Sequence, residues 1–186
     1  MSSQEDLRQI ALAEFAAAGY AATSLQRIAE LAGLSKSSVL YHYSSKEHLL
    51  EAAIAPAIDS LESILEEFEA SGLSDKRAFL ERFVDLLLAN RLAVNMFINQ
   101  GPSLVDVPVI DRANALIYRL AEFFAANTAS LEEKMRFGIA LGGAAYMLCS
   151  AQTFDLAQAE SSDETRAALI VILSDLLTPV STISTR

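Results

Sequence analysis

The segment around residue 40 carries ammonium, hydroxyl, phenol and imidazole groups and no carboxylate. From Leu31 to Ser45 the chain contains neither Asp nor Glu. With Val39 and Tyr43 turned toward a core, the helical period places the polar side chains outward or at the flanks. These side chains are Lys36, Ser37, Ser38, Tyr41 and His42. Because such groups donate hydrogen bonds to base edges and phosphate oxygens, the pattern predicts a helix that contacts double-stranded DNA.

Phosphate contacts are also predicted at the starts of the two neighbouring helices. Thr23 and Ser24 precede the helix before this segment, and Lys46 opens the helix after it. A helix N-terminus carries partial positive charge and unpaired N–H groups, which favour phosphate binding. Tyr41 has an alternative role, packing against the small bundle, but its outward phase favours a phosphate or base contact.

The elements that must position these groups have helix-turn-helix spacing. Ala29 is small where the second helix must cross the first, and Gly33 can adopt the positive φ of a tight interhelical turn. The apolar residues on either side of this turn return to one core, and they are Leu25, Ile28, Leu34 and Val39.

Cap residues predict where the helices begin. The run from Thr23 to Gln26 is typical of a capping box in which the Thr23 hydroxyl accepts from the Gln26 N–H. Ser35 caps the next helix. A second capping box, from Ser44 to Glu47, opens a long helix.

Helical periodicity continues through the rest of the chain, and no alternating β-branched run leads into a hairpin turn. The long helix is predicted over residues 45–70, with a bend at Pro56. The other predicted helices cover residues 4–18, 75–91, 92–100, 107–127, 130–154 and 163–177. We therefore predict an all-α fold, in which a three-helix N-terminal helix-turn-helix domain is joined by a long helix to a larger helical domain.

Charge is distributed unevenly along the 186 residues. The net charge is −10, but residues 1–50 hold four basic and five acidic side chains, so a charge of −9 falls in residues 51–186. Phosphate binding draws on Lys and Arg, which argues against DNA contacts by the acidic part. The asymmetry indicates two parts with different partners.

Several kinds of site are not expected. Cys149 is the single cysteine and cannot form an internal disulfide. His42 and His48 are six residues apart, which does not favour a metal pair. The chain has no Gly-x-Ser-x-Gly elbow and no phosphate-binding loop. We expect no catalytic residue, no metal and no cofactor, and thus no enzyme.

Location is predicted from two segments. The acidic N-terminus does not resemble a secretory signal, which favours the cytoplasm. The charge-free run at residues 137–154 approaches the length of a membrane span, but it contains three Gly and little Leu, Ile or Val. We interpret it as a buried helix and expect no contact with a membrane.

The stretch from Ile10 to Leu50 resembles the tetracycline-repressor-like (TetR) family of bacterial regulators. The resemblance rests on the hydrophobic spacing, on the Gly-Tyr-x-x-Thr-Ser entry at residues 19–24 and on the Tyr-His-Tyr-x-x-Lys-Glu exit at residues 41–47. It covers about the first quarter of the chain. Leu40 departs from the pattern, because the family often has a second aromatic there, and this leaves the base contact at that position open.

The resemblance implies a domain organisation and a mechanism. Residues 1–48 are expected to bind operator DNA, and residues 49–186 are expected to bind a small-molecule effector and to form a homodimer through the last two long helices. Two recognition helices would then enter successive major grooves. The implied function is transcription regulation by a repressor that the effector releases from its operator. The alternative is a helical small-molecule-binding protein without DNA activity.

The effector site has candidates but no diagnostic motif. A few polar groups lie among apolar and aromatic residues, a mixture that can line a pocket for a largely apolar effector. The candidates are Asn95, Met96, Phe97, Asn99, Tyr118, Phe123, Tyr146 and Met147. Ordinary core packing explains each of these residues equally well.

Two helices have faces that need a partner. Gly138, Gly142, Ala145 and Cys149 form a stripe of small residues along which another helix can approach, either in a dimer or within the chain. Residues 168–173 are apolar nearly all round the helix and require burial on more than one side. A second subunit supplies that burial most simply.

Overall fold

A computed structural model describes residues 4–71, 75–101, 104, 107–128, 130–150 and 162–178. These residues form nine helices and no strand, which confirms the all-α class. The helices are α1 (Gln4–Ala18), α2 (Leu25–Leu31), α3 (Lys36–His42), α4 (Lys46–Ser71), α5 (Lys76–Ala89), α6 (Arg91–Gln100), α7 (Pro108–Asn127), α8 (Leu131–Cys149) and α9 (Ser162–Leu177).

The predicted helices agree with the observed ones to within a few residues. Gly19 and Gly33 end α1 and α2 with φ values of 91° and 67°, the conformation expected at these stops. Pro56 lies inside α4, as predicted. The helix predicted to end at residue 154 ends at Cys149, and residues 151–154 lie outside the described part of the chain.

Both predicted capping boxes at the helix-turn-helix are wrong by one residue. The N-cap of α2 is Ser24, whose hydroxyl accepts from the Arg27 N–H. At the start of α4 the Ser45 hydroxyl accepts from the His48 N–H at 3.1 Å. In each case two hydroxyl residues are adjacent in the sequence, and the second of them caps the helix.

The chain divides into two compact units. The first comprises Met1–Ser63 and Asn90–Ile117, and the second comprises Ile64–Ala89 and Tyr118–Arg186. Helix α6 and the start of α7 therefore belong to the same unit as the helix-turn-helix. The predicted boundary between a DNA-binding domain (residues 1–48) and an effector-binding domain (residues 49–186) stays a prediction.

The core of the first unit lies among the short helices and α6. Its fully buried side chains include Phe15, Ile28, Val39, Leu50 and Met96, which come from five helices. Arg112 on α7 binds two carboxylates of α4, Asp59 at 2.7 Å and Glu62 at 2.5 Å. This unit therefore combines a small apolar centre with polar links between its helices.

The second unit is built around stacked phenylalanines. The rings of Phe68 and Phe79 lie 4.2 Å apart, and those of Phe124 and Phe137 lie 3.8 Å apart. Phe79 also contacts Phe124 at 5.8 Å, which joins the two pairs into one cluster. Buried aromatic rings contribute large apolar areas, so this cluster is a substantial part of the core of the unit.

The described part of the charge-free run, residues 137–150, is not uniformly buried, in contrast to the prediction of a buried helix. Helix α8 buries one face, formed by Phe137, Ala140, Leu141, Ala144 and Leu148. Its opposite face includes Gly138 and Gly142, which are exposed, and a Cβ added to either would meet no atom within 4 Å. Internal packing is thus excluded as the role of these two glycines in the described structure. No helix in the described ranges is both long and apolar enough to cross a membrane.

Candidate nucleic-acid interface

The turn between α2 and α3 fixes the angle of the candidate recognition helix. Ile28 and Ala29 are fully buried where the two helices meet. Gly33 follows with its positive φ, and the Leu34 N–H donates to the Ala29 carbonyl at 2.8 Å. The small side chain and the glycine occupy the two positions where the sequence predicted that they are needed.

Helix α3 has one buried face and one exposed polar face. Val39 and the C-cap residue Tyr43 are buried, as predicted. Tyr41 is 87% exposed, which excludes packing against the bundle as its role in this structure. Lys36, Ser37 and His42 are also exposed. Four of the side chains predicted to contact DNA, those of Lys36, Ser37, Tyr41 and His42, are therefore accessible on one helix.

Ser37 and Ser38 differ in accessibility. The Ser38 side chain is half-buried, and its hydroxyl lies 2.8 Å from the hydroxyl of Ser35, the N-cap of α3. The Ser35 hydroxyl also accepts from the Ser38 N–H at 3.0 Å. The Ser37 side chain, in contrast, is exposed. Of the two, Ser37 is the better placed to reach a base edge.

His42 is tied to the first helix. Its Nδ1 atom lies 3.3 Å from the Gln4 Nε2 atom, and its ring contacts the Tyr41 ring edge to face at 5.3 Å. These contacts orient both rings at the exposed end of α3. A DNA contact by either ring stays a prediction.

Lys46 makes contacts within the protein that the sequence did not reveal. Its ammonium donates to the carbonyls of Tyr20 at 2.9 Å and of Thr23 at 3.0 Å. It also lies 4.2 Å from the centroid of the Tyr20 ring. Two of its three N–H donors are thus used to hold the corner between α1 and α2. A phosphate contact by Lys46 stays a prediction.

Thr23 is placed differently from Ser24. Thr23 is 3% exposed, and its hydroxyl donates to the Gly19 carbonyl at 2.8 Å. Its side chain therefore stabilises the corner from within, which leaves only its backbone near the surface. Ser24 is exposed and caps α2. Phosphate binding by Thr23 and Ser24 stays a prediction. Of the two side chains, only that of Ser24 is exposed and accessible to a phosphate.

The corner between α1 and α2 contains a tyrosine, Tyr20, whose pKa is shifted from its ordinary value. Burial raises the pKa of Tyr20 to about 12, and the nearby Glu47 carboxylate contributes to the same direction. Glu47 itself has a lowered pKa, because its carboxylate accepts from its own backbone N–H and from the Ser45 hydroxyl. Among the described residues, the Tyr20 hydroxyl has no hydrogen-bond partner of standard geometry. These groups stabilise the α1–α2 corner, which directly precedes the helix-turn-helix.

Sequence reasoning missed two polar residues of this region. Arg27 is exposed in the first turn of α2, with its Nε atom 3.3 Å from Glu14, and its position one turn after Ser24 was a usable signal. Gln100 hydrogen-bonds to the α1–α2 corner from 80 and 85 residues away. Helical periodicity carries no information over such a distance.

The effector candidates are divided between the two units. Met96 is buried in the first unit, Asn95 and Phe97 are half-buried, and Asn99 is exposed on the same helix. In the second unit Phe123 and Met147 are half-buried, whereas Tyr118 and Tyr146 are more than half exposed. An effector contact by any of them stays a prediction. Among the described residues, no group of three His, Cys, Asp or Glu side chains could hold a metal ion.

Comparison with solved structures shows the fold. A TetR-family regulator from Bordetella parapertussis superposes with a TM-score of 0.72 at 17% identity, covering 98% of each chain. A member of the same family from Streptomyces coelicolor gives a TM-score of 0.71 at 22% identity, covering 92% of this chain and 88% of the other. The ketosteroid transcriptional regulator KstR2 of Mycobacterium tuberculosis gives 0.70 at 15% identity, covering 95% and 94%.

Comparison of sequences finds relatives that match part of the chain. The HTH-type transcriptional repressor KstR2 of Rhodococcus jostii is 38% identical over 79 residues, which are 42% of this chain and 38% of that protein. The HTH-type transcriptional regulator RutR of Escherichia coli is 34% identical over 119 residues, which are 58% and 56% of the two chains. The chain therefore matches about half or less of the length of these curated relatives.

The family model described as "Bacterial regulatory proteins, tetR family" matches residues 7–53. This segment contains most of α1, the helix-turn-helix of α2 and α3, and the start of α4, whose geometry is given above. The match and the fold agree with the resemblance inferred from the motifs at residues 19–24 and 41–47. Residues 7–53 of the chain therefore match the tetR family of bacterial regulatory proteins in sequence, and the described fold is that of solved TetR-family regulators.

Proposed function

We propose that the protein is a DNA-binding transcriptional regulator, acting as a repressor that inserts α3 into the major groove of its operator. The observation that carries the proposal is the exposed face of α3, which presents Ser37, Tyr41 and Lys36 and is backed by the buried Val39. An exposed face of polar and aromatic groups without carboxylates suits base edges and phosphates. The names of the relatives, a repressor and a regulator, support the same function.

We propose a homodimer formed by a second copy of the chain on α8 and α9. The outer faces of these two helices expose apolar residues side by side in the second unit, where α8 packs against α9. These residues are Met135, Ile139, Tyr146, Val171 and Ile172, each more than half exposed. Gly138 and Gly142 lie on the same face of α8 and allow a close helix approach. A twofold dimer would present two α3 helices to half-sites one helical turn apart.

A small-molecule effector releases the repressor from its operator if it binds two arrangements of the dimer with different affinities. A ligand that binds both arrangements equally shifts neither, so the effector must favour a spacing of the α3 helices that does not fit successive grooves. A largely apolar effector suits a chain whose second unit is rich in phenylalanine. We place this regulator in the cytoplasm, where its DNA is, and assign it no catalytic reaction.

Selection from a randomised duplex library tests DNA binding directly. The wild-type protein should enrich a sequence with twofold symmetry, and its affinity should fall with salt because phosphate contacts release counterions. Tyr41→Ala should weaken operator binding by about tenfold or more, from loss of a base or phosphate contact. Its thermal stability should be unchanged, since the ring is exposed.

Gln9→Ala, on the exposed side of α1, is the matched control and should bind as the wild type does. Failure of the wild-type protein to enrich any sequence would favour the alternative of a helical small-molecule-binding protein. Unfolding by Tyr41→Ala would contradict the exposed position of the ring.

A further inference from the structure

Gln100 connects α6 to the helix-turn-helix through both ends of its side-chain amide. It is the last residue of α6, and its Nε2 atom donates to the Phe15 carbonyl at 2.7 Å. Its Oε1 atom accepts from the Tyr20 N–H, also at 2.7 Å. Both hydrogen bonds are partly buried, and both lie within the first unit. Phe15 is in the last turn of α1, and Tyr20 lies just beyond it.

The two partners of Gln100 are backbone groups at a helix end. The Phe15 carbonyl lies in the last turn of α1 and also accepts from the Gly19 N–H at 3.0 Å, so Gln100 supplies a second hydrogen bond to this oxygen. The Tyr20 N–H follows Gly19, where the chain leaves the helical conformation with a φ of 91°. A single amide therefore spans the point at which α1 ends and the chain turns toward α2.

The same corner is held from its other side by α4. The Tyr20 carbonyl accepts from Lys46, the first residue of α4, and the Lys46 ammonium also lies over the Tyr20 ring. Thr23, the last residue but one before α2, donates to Gly19. The peptide groups on both sides of Tyr20 are thus fixed, one to α6 and one to α4.

We infer that Gln100 is a positioning residue for DNA recognition, and this inference rests on the proposed function. It holds the α1–α2 corner in the orientation that presents α3 to the operator, although it contacts no DNA itself. Loss of the amide removes the hydrogen bonds that orient the corner from α6 and leaves those from Lys46 of α4, so the helix-turn-helix samples more orientations. Specific contacts require one orientation, whereas phosphate attraction does not. Gln100 therefore controls the ratio of operator affinity to non-specific affinity.

The test uses Gln100→Met, which keeps the length of the side chain and removes both hydrogen bonds. Operator affinity should fall by about tenfold, the loss expected from one or two net hydrogen bonds, while affinity for a scrambled duplex stays within about twofold. Gln9→Met, the same change at an exposed glutamine of α1, is the control and should alter neither affinity. The operator is the duplex enriched by the wild-type protein.

Gln100→Glu separates the two hydrogen bonds, because a carboxylate still accepts from the Tyr20 N–H but cannot donate to the Phe15 carbonyl. Hydrogen exchange of the Tyr20 amide should accelerate in Gln100→Met and remain protected in Gln100→Glu. Both variants should lose operator affinity. Melting curves identify any loss of folded protein, which would lower both affinities in equal proportion.

Three results are distinguishable. Equal operator affinity for Gln100→Met and wild type, or parallel loss of operator and non-specific binding, would overturn the inference and leave the proposed function intact. Absence of DNA binding by the wild-type protein would overturn both. A selective loss of operator affinity with intact melting would establish the positioning role.

Discussion

The α1–α2 corner and the phenylalanine cluster are stabilised by different kinds of interaction. At the corner, Lys46 and Gln100 bind backbone groups at 2.7–3.0 Å, and Gly19 supplies a positive φ. In the second unit, rings such as Phe68 and Phe124 contact several neighbours without directional bonds. Hydrogen bonds fix orientation, whereas aromatic burial fixes mainly volume.

This difference suits the two tasks proposed for the molecule. A recognition helix must be held at one angle to read base edges, so its mounting gains from directional bonds. A domain that responds to a small molecule must repack, and apolar contacts tolerate such changes as long as volume is kept. Variants at the corner should therefore affect DNA specificity, and variants in the second unit should affect stability and assembly.

The largest effect is expected at α9, where neighbouring positions separate folding from assembly. Leu173 is 2% exposed, so Leu173→Asp buries an unpaired charge and should destabilise the fold by about 3–5 kcal/mol. Val171 is 61% exposed on the proposed dimer face, so Val171→Asp should dissociate the dimer without unfolding the chain. Sedimentation and urea unfolding measure the two outcomes. A wild-type protein that sediments as a monomer would contradict the dimer.

A smaller effect is expected from Lys46→Met, which keeps the apolar stem and removes the ammonium. The Tyr20 and Thr23 carbonyls lose a charged donor, so the free energy of unfolding should fall by about 2 kcal/mol. If the ammonium also binds a phosphate, the slope of log affinity against log salt should decrease by about one per subunit. An unchanged slope together with lower stability would assign Lys46 to the corner alone.

The sequence was sufficient for features that depend on neighbouring residues. Gly33, Ser35 and Val39 each have a local reason for their position, and the structure places them as predicted. The adjacent hydroxyls at Thr23 and Ser24 misled the cap assignment, because either can cap a helix and only the three-dimensional corner selects one. The exposed face of α8 escaped prediction for a related reason. The part of α8 from Phe137 onward is free of charges and rich in small residues, so it has no strong periodicity to show which side is covered.

Long-range polar contacts were beyond sequence reasoning. The bonds from Gln100 to Phe15 and Tyr20 join residues that no motif relates. The exposure of Leu40 is visible only in the structure, where this residue lies among the accessible side chains of α3. The effector site has the same difficulty, since its candidates come from separate helices.

As pH rises, the α1–α2 corner should lose stability before the phenylalanine cluster does. The pKa of Tyr20 is raised from 10.0 to about 12, so between these values the unfolded chain loses this proton while the folded chain keeps it. The contribution of Tyr20 to stability is therefore present below about pH 10 and is lost as pH rises toward 12. Tyr20→Phe should flatten this part of the pH profile of unfolding, whereas Tyr118→Phe, at an exposed tyrosine, should not. Identical profiles for all three proteins would contradict the raised pKa.

The smallest effect is expected for the ion pair between Asp85 and Arg166 on the surface of the second unit. Two hydrogen bonds, at 2.5 and 2.9 Å, join the two side chains, and the guanidinium lowers the pKa of Asp85. A lowered pKa contributes stability above the unfolded value and loses it as pH falls through the folded value, so the contribution should vanish in acid. Both side chains are more than a third exposed, so water and salt screen the pair, and Asp85→Asn should cost little at neutral pH. The difference in melting temperature between wild type and Asp85→Asn should shrink further in high salt and at low pH. A large, salt-independent loss would show that the second unit also depends on a directional contact, and would remove the contrast drawn between the two regions.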